Sequence, residues 1–113
     1  MPKTSRITRT PPAAVEDALR RLGRNIRIAR VRRRLRIADV AERIGASRFT
    51  VADLEKGKPS TSAAAYLGAL WALGLLDQMT DLADPDRDEE GKVLESARSP
   101  KGAPRRRSLD NDF

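Results

Sequence analysis

Arginine is the residue type with the most evident chemistry in this sequence. Between residues 20 and 36 the only uncharged polar residue is Asn25, and nine positions are arginine: Arg20, Arg21, Arg24, Arg27, Arg30, Arg32, Arg33, Arg34 and Arg36. A guanidinium group is always charged, and its planar fork of N–H donors matches phosphate oxygens. Arginine at this density favours contact with a polyanion, although not all nine side chains can reach one surface.

Groups suited to catalysis or metal binding are scarce. The chain contains no His and no Cys, which removes the commonest general base, the commonest metal ligands and any disulfide. It also lacks a glycine-rich phosphate loop. We therefore expect a protein that is not an enzyme and that holds no metal and no cofactor.

The formal charge of +7 is unevenly distributed. Residues 1–59 hold 16 Lys and Arg against 6 Asp and Glu, whereas residues 60–97 hold 2 against 8. A basic excess on one segment is typical of a phosphate-binding face, since an ordinary solvated surface mixes both signs. The N-terminus lacks the apolar core of a signal peptide, and the longest apolar run, residues 63–76, is too short for a membrane span. We expect a cytoplasmic protein with no membrane contact.

Residues 37–57 predict the element that positions these charges, two short helices joined by a tight turn. The apolar residues of the first helix share one face: Val40, Ala41 and Ile44. Gly45 ends that helix, Ser47 caps the next, and Gly57 closes it after about residue 56. Such a turn makes the helices cross steeply and presents the second as a ridge that fits the major groove of DNA. Paired amphipathic helices around a glycine also occur in helical domains without that role.

The outward side of the second helix carries the candidate base-reading residues. Its inward side is apolar: Val51 and Leu54. Arg48 is the best candidate, because its fork matches O6 and N7 of guanine. Phe49 or Thr50 suits a thymine methyl group. Asp53 suits a cytosine amino group, or it only repels DNA that is wrongly placed.

This residue pattern resembles the lambda-repressor-like (Xre/Cro) family of DNA-binding domains. Ten residues are in register with its motif: Leu35, Val40, Ala41, Gly45, Ser47, Val51, Leu54, Glu55, Gly57 and Lys58. The resemblance implies a salt bridge from Arg30 to Glu55 that braces the first helix against the recognition helix, and a phosphate contact by Lys58. Where the family usually has Thr-Gln, this chain has Arg36 and Ile37, so the phosphate contact there either passes to Arg36 or is lost. The expected phosphate contacts are Arg27, Arg36, Ser47 and Lys58.

The expected fold is all-α, a five-helix lambda-repressor-like domain with disordered tails. Residues 1–11 predict a disordered basic arm, residues 12–83 an Xre-type helix-turn-helix domain, and residues 84–113 a mostly disordered tail. The helices outside the central pair are expected at residues 12–34, 62–73 and 76–82, with at most a brief one at 89–96. Gly23 is a weak point at which the helix at residues 12–34 could divide. Ser60 or Thr61 is the expected N-cap of the helix at residues 62–73. The tail's Arg105–Arg107 run is either a second contact with an anion or a solvated segment.

The helix expected at residues 62–73 is apolar on every side and so needs cover on every side. A small monomer has few elements to provide it. We expect a dimer or partner surface formed by Leu70, Trp71, Leu75, Leu76 and Met79, although a central core helix explains the composition equally well. Modules of this kind usually bind inverted repeats as two-fold homodimers.

Residues 61–95 resemble the C-terminal half of HipB-type antitoxins, which are small Xre-type regulators that accompany HipA-like kinase toxins. The resemblance implies an antitoxin that neutralises a HipA-like serine/threonine kinase and represses its own operon by binding double-stranded DNA at an inverted-repeat operator. A stand-alone Xre-family repressor would share the motif without needing the kinase. A non-specific basic nucleic-acid-binding protein is the remaining alternative, and it would bind every sequence by charge.

Overall fold

The computed structural model describes residues 5–98 of the chain. Every regular element in that range is helical, so the fold is all-α, as predicted. The α-helices are α1 (Arg6–Arg9), α2 (Ala13–Arg32), α3 (Ile37–Ile44), α4 (Arg48–Glu55), α5 (Ala63–Ala72) and α6 (Glu89–Arg98), with 3₁₀ helices at Leu76–Asp81 and Pro85–Arg87. The ends of the predicted arm and tail, residues 1–4 and 99–113 with the Arg105–Arg107 run, lie outside the described residues.

The chain divides into two compact units, the first ending at Gln78 and the second beginning at Met79. The first unit contains α1 to α5. In the second unit, neither Pro85–Arg87 nor α6 has a buried residue. Met79, one of the residues expected at a partner surface, belongs to the second unit. No helix within residues 5–98 is both long and apolar enough to cross a membrane.

One turn of helix, α1, occurs within the segment for which the sequence predicted disorder. The backbone N–H groups of Thr8 and Arg9 donate to Ser5 O, each at 3.1 Å. Pro11 and Pro12 follow and cannot donate the hydrogen bonds that would extend it. None of its residues is buried.

α2 is continuous through Gly23, where the sequence had suggested a possible break. A Cβ atom at that position would lie 2.4 Å from Leu54 O, closer than van der Waals contact allows. Glycine therefore lets α2 approach the backbone of α4. The inner face of α2 includes Ile26 and Ala29, which are 1% and 8% exposed. Its end at Arg32 comes two residues before the predicted one, because Arg34 turns the chain in a left-handed conformation.

The helix-turn-helix forms as the sequence predicts, with α3 and α4 joined at Gly45. That glycine has a φ of 69°, and the Ser47 hydroxyl accepts a hydrogen bond from the Thr50 N–H at 3.1 Å. The inward residues form the centre of the core: Val40 (1% exposed), Ala41 (3%), Val51 (0%) and Leu54 (0%). Packing of these side chains fixes the outward face of α4.

α5 begins at Ala63 with Ser62 as its cap, not Ser60 or Thr61 as predicted. The Ser62 hydroxyl accepts from the Ala65 N–H at 3.1 Å. One face is buried, with Tyr66, Ala69 and Leu70. Leu70 was expected at a partner surface and this was wrong, since it is 6% exposed and part of the core. The opposite face stays open.

The predicted fifth helix, residues 76–82, is a 3₁₀ helix over Leu76–Asp81. The brief helix expected at residues 89–96 is present as α6 and extends to Arg98. Acidic residues occupy the first turn of α6 and Arg98 its last, which matches the direction of the helix dipole.

Candidate nucleic-acid interface

The outward side of α4 and the N-terminus of α3 form an open groove of about 570 Å³. It is lined by Arg36, Ile37, Ala38, Arg48, Phe49 and Ala52. Because Val51 and Leu54 fix the inner side of α4, the residues at the other helical phase must face solvent. The groove has an apolar floor, with Arg48 on α4 and Arg36 immediately before α3, a combination suited to base edges beside phosphates.

Arg48 and Phe49 are the candidate base-reading residues that this groove brings together. Phe49 is 76% exposed, which is unusual for a large apolar side chain that has no partner. Arg48 is also exposed, and its guanidinium makes no hydrogen bond or ion pair with any described residue. Both side chains are therefore free to contact a ligand.

Thr50 and Asp53, the other candidate base readers, lie outside this groove. Thr50 is half-buried, and its hydroxyl is 3.2 Å from that of Ser47. The Asp53 carboxylate is 3.4 Å from Lys58 Nζ, in a pair whose side chains are 39% and 50% exposed. Any contact of Asp53 with a base, or of Lys58 with a phosphate, must therefore exchange with this ion pair.

Arg36, an expected phosphate contact, is bound to Asp39 at the start of α3. Its backbone N–H donates to Asp39 Oδ2 at 2.7 Å, and its guanidinium donates to both carboxylate oxygens at 2.9 and 3.2 Å. The hydrogen bonds from the Arg36 side chain and backbone lower the pKa of Asp39 to about 2. Asp39 thus caps the Arg36 N–H at the start of α3, and Arg36 must share its charge between Asp39 and a phosphate.

A buried ion pair joins α2 to the end of α4. Arg30 donates to Glu55 through Nε at 2.6 Å and through a terminal nitrogen at 3.0 Å, while its other terminal nitrogen donates to Leu35 O at 2.9 Å. The two side chains are 11% and 6% exposed. The hydrogen bond with Glu55 raises the pKa of Arg30. This pair fixes α4 relative to α2 and to the chain that enters α3.

The backbone of Lys58 is fixed by two hydrogen bonds, one to α4 and one from α5. Its N–H donates to Asp53 O at 3.1 Å, and its carbonyl accepts from the Tyr66 hydroxyl at 2.9 Å. Burial, and secondarily the charge of Asp53, raises the pKa of Tyr66. Tyr66 was not among the predicted site residues, although a tyrosine in an apolar helix often places its hydroxyl on a nearby polar group.

Arg27 lies on the exposed side of α2, one turn before Arg30. It has no hydrogen bond or ion pair among residues 5–98. Its exposed and unpaired side chain is available for a phosphate contact.

An apolar strip on α5 is the second open surface of this unit. Trp71 is 59% and Leu67 36% exposed. A groove of about 380 Å³ adjoins Trp71 and extends past Gly68 to Ile44 of α3. Leu67 was missing from the predicted partner surface, because a helix apolar on all sides does not reveal which face is buried. Leu75 is half-buried and Leu76 is 37% exposed.

Comparison with known families agrees with this architecture. A family model described as a helix-turn-helix domain matches residues 21–83, more than half of the chain. The chain belongs to this family, and it is a DNA-binding regulator of the helix-turn-helix class. No curated protein and no solved structure matches it.

Proposed function

We propose that this protein is a sequence-specific transcriptional repressor that reads double-stranded DNA with α4. The observation that carries the proposal is the free pair Arg48 and Phe49, exposed on the outward side of a helix whose inner side is locked in the core. A helix presented in this way enters the major groove with its first turns against base edges.

Arg48 is the residue that selects a base, by donating two hydrogen bonds to O6 and N7 of guanine. Phe49 contacts the methyl group of a neighbouring thymine. Asp53 accepts from a cytosine amino group when Lys58 moves to a phosphate, and Thr50 contributes at the edge of the site. Position on the duplex is fixed by the phosphate contacts of Arg27, Arg36, Ser47 and Lys58.

The repressor acts as a homodimer on an inverted-repeat operator, because one module contacts too few base pairs for specificity. The exposed strip of Leu67 and Trp71 on α5 supports an interface between two copies. A symmetric contact of this kind places the same residues on both sides of the two-fold axis.

The finer proposal is that the repressor is a cytoplasmic antitoxin that neutralises a HipA-like serine/threonine kinase and represses the operon of the pair. Its support is the resemblance of residues 61–95 to HipB-type antitoxins. Co-expression of the tagged protein with the kinase-like product of a neighbouring gene tests it. A stoichiometric complex that blocks phosphorylation supports the antitoxin role, whereas a homodimer with full operator affinity and no kinase supports the stand-alone repressor.

Selection of binding sites from a random duplex library tests the main proposal. We expect enrichment of one inverted repeat that is bound at least about 1,000-fold more tightly than scrambled DNA. Equal affinity for all sequences, with a steep salt dependence on each, would instead identify the non-specific basic protein.

A further inference from the structure

Among helices α2 to α5, one helix end has an arginine where the other three have glycine. α2, α3, α4 and α5 each end in a turn closed by a 6→1 backbone hydrogen bond: Leu35 N–H to Arg30 O (3.2 Å), Ala46 to Ala41 (2.9 Å), Lys58 to Asp53 (3.1 Å) and Leu75 to Leu70 (2.8 Å). The left-handed residue of this turn is Gly45, Gly57 or Gly74 in three cases. In the fourth it is Arg34, with a φ of 55°. Residues with a side chain adopt this conformation at a cost that glycine avoids, so the turn itself does not account for the arginine.

Two arginines at this end of α2 are used within the fold, whereas Arg32 and Arg34 are not. Arg33 donates to Ala29 O at 2.9 Å, and Arg30 is paired with Glu55. The Arg34 side chain is exposed and has no hydrogen-bond or ion-pair partner in residues 5–98. The last turn of α2 already carries two other cations, Arg30 and Arg32, that can interact with the helix dipole.

Arg34 is close along the chain to the groove that contains Arg48 and Phe49. It precedes Arg36, which lines that groove, by two residues, a separation of at most about 7 Å along the chain. The Arg36 guanidinium is engaged with Asp39, whereas the Arg34 guanidinium, two residues earlier in the chain, has no partner among residues 5–98.

We propose that Arg34 is a DNA-phosphate anchor, held at the entrance to α3 by the left-handed turn that ends α2. This proposal rests on the proposed DNA-binding function and adds Arg34 to the predicted phosphate contacts. A guanidinium paired with a phosphate makes charge-assisted hydrogen bonds to its oxygens. Each phosphate neutralised on B-DNA contributes about 0.9 to the slope of log K against log salt.

Arg34→Gly tests the side chain without disturbing the turn, because glycine adopts the same conformation without strain. We expect its thermal midpoint to equal or exceed that of the wild type. Its affinity for operator and random DNA should fall alike, by about fivefold to tenfold at about 0.1 M salt, and its salt slope should fall by about 1. Arg34→Lys keeps the charge and should keep the slope.

Arg32→Ala is the control, because it removes the same charge from the last residue of α2. Arg32 lines a separate groove with Ile28 and Leu75, and that groove shares no residue with the one containing Arg48. We expect Arg32→Ala to keep the wild-type slope. An unchanged slope in Arg34→Gly, or an equal loss in Arg34→Gly and Arg32→Ala, would overturn the anchor.

The two proposals fail in different ways. If the wild type shows no preference for any selected site, the proposed function fails, and the slopes on random DNA still decide whether Arg34 binds phosphate. If the wild type prefers its operator and Arg34→Gly binds as tightly with the same slope, only the assignment of Arg34 fails.

Discussion

Recognition of the DNA sequence depends most on Arg48, because its guanidinium is exposed and unpaired in the groove beside Phe49. Arg48→Ala should cost about 1–3 kcal/mol of binding free energy on the operator and relax specificity at one base position. Titration of operator variants substituted at each position measures both effects. A loss of equal size on operator and random DNA would show instead that Arg48 holds phosphate.

The buried ion pair of Arg30 and Glu55 contributes to the free energy of unfolding. Glu55→Ala leaves the buried guanidinium of Arg30 without its partner and should lower the free energy of unfolding by about 3–5 kcal/mol, measured by urea denaturation. The control is Glu16→Ala, which breaks the exposed pair with Arg20; there the loss should be about 1 kcal/mol or less. Similar losses in both variants would contradict a bracing role for Glu55.

Asp39 gives the stability a dependence on pH. Its pKa is about 2 in the folded protein and about 3.9 in the unfolded chain. A lowered carboxyl pKa stabilises the fold above the unfolded value, and this contribution disappears as the pH falls to the folded value. Wild type should therefore unfold at higher urea than Asp39→Asn above about pH 4, and the difference should close towards about pH 2. A difference that stays constant over this range would exclude the carboxylate as its cause.

At the scale of the elements, the contact of α2 with α4 depends on the missing side chain of Gly23. Gly23→Ala would place Cβ 2.4 Å from Leu54 O, and a backbone atom cannot move aside cheaply. We expect a loss of about 1–3 kcal/mol in unfolding free energy. Gly68→Ala is the matched change within α5, where the nearest atom is Ile44 Cγ2 at 3.4 Å. It should be neutral or stabilising by up to about 1 kcal/mol, because alanine favours helix. A Gly23→Ala variant that is as stable as Gly68→Ala would contradict the steric account of Gly23.

The elements that were predicted from sequence are those with local signals. Gly45, Ser47 and the apolar spacing of α3 and α4 specify the helix-turn-helix within a few residues of chain. The cap of α5 is ambiguous in the sequence because Ser60, Thr61 and Ser62 are all residue types that cap helices. In the structure it is the Ser62 hydroxyl that accepts the hydrogen bond. Arg34 is one of the nine arginines noted in the sequence. Its left-handed conformation could not be predicted, because no glycine marks that turn.

Pairings between side chains were the least predictable part of the site. Arg30 and Glu55 were expected from a family resemblance, since nothing in their spacing of 25 residues links them. The pairs of Arg36 with Asp39 and of Lys58 with Asp53 depend on rotamers that the folded chain selects. Charge composition alone therefore overestimated how many cations at the groove are free.

At the scale of the whole molecule, the exposed strip on α5 predicts assembly. Trp71→Glu places a charge where a two-fold contact would bury it, so the dimer should dissociate to monomers at micromolar concentration. The molar mass in solution, measured by light scattering, reports this change. Val31→Glu is the control, because Val31 is also exposed, at 54%, but lies on α2. A wild type that is monomeric, or a Trp71→Glu variant that stays dimeric, would contradict the proposed interface.

The central claim is tested most directly by one ratio of affinities, that for a selected inverted repeat over that for a scrambled duplex of the same composition. It is measured for wild type and for Arg48→Ala at one salt concentration. Reading by α4 predicts a wild-type ratio of at least about 1,000, which falls about 5- to 150-fold when Arg48 is removed. A wild-type ratio near one, unchanged in Arg48→Ala, would contradict sequence-specific recognition by this helix.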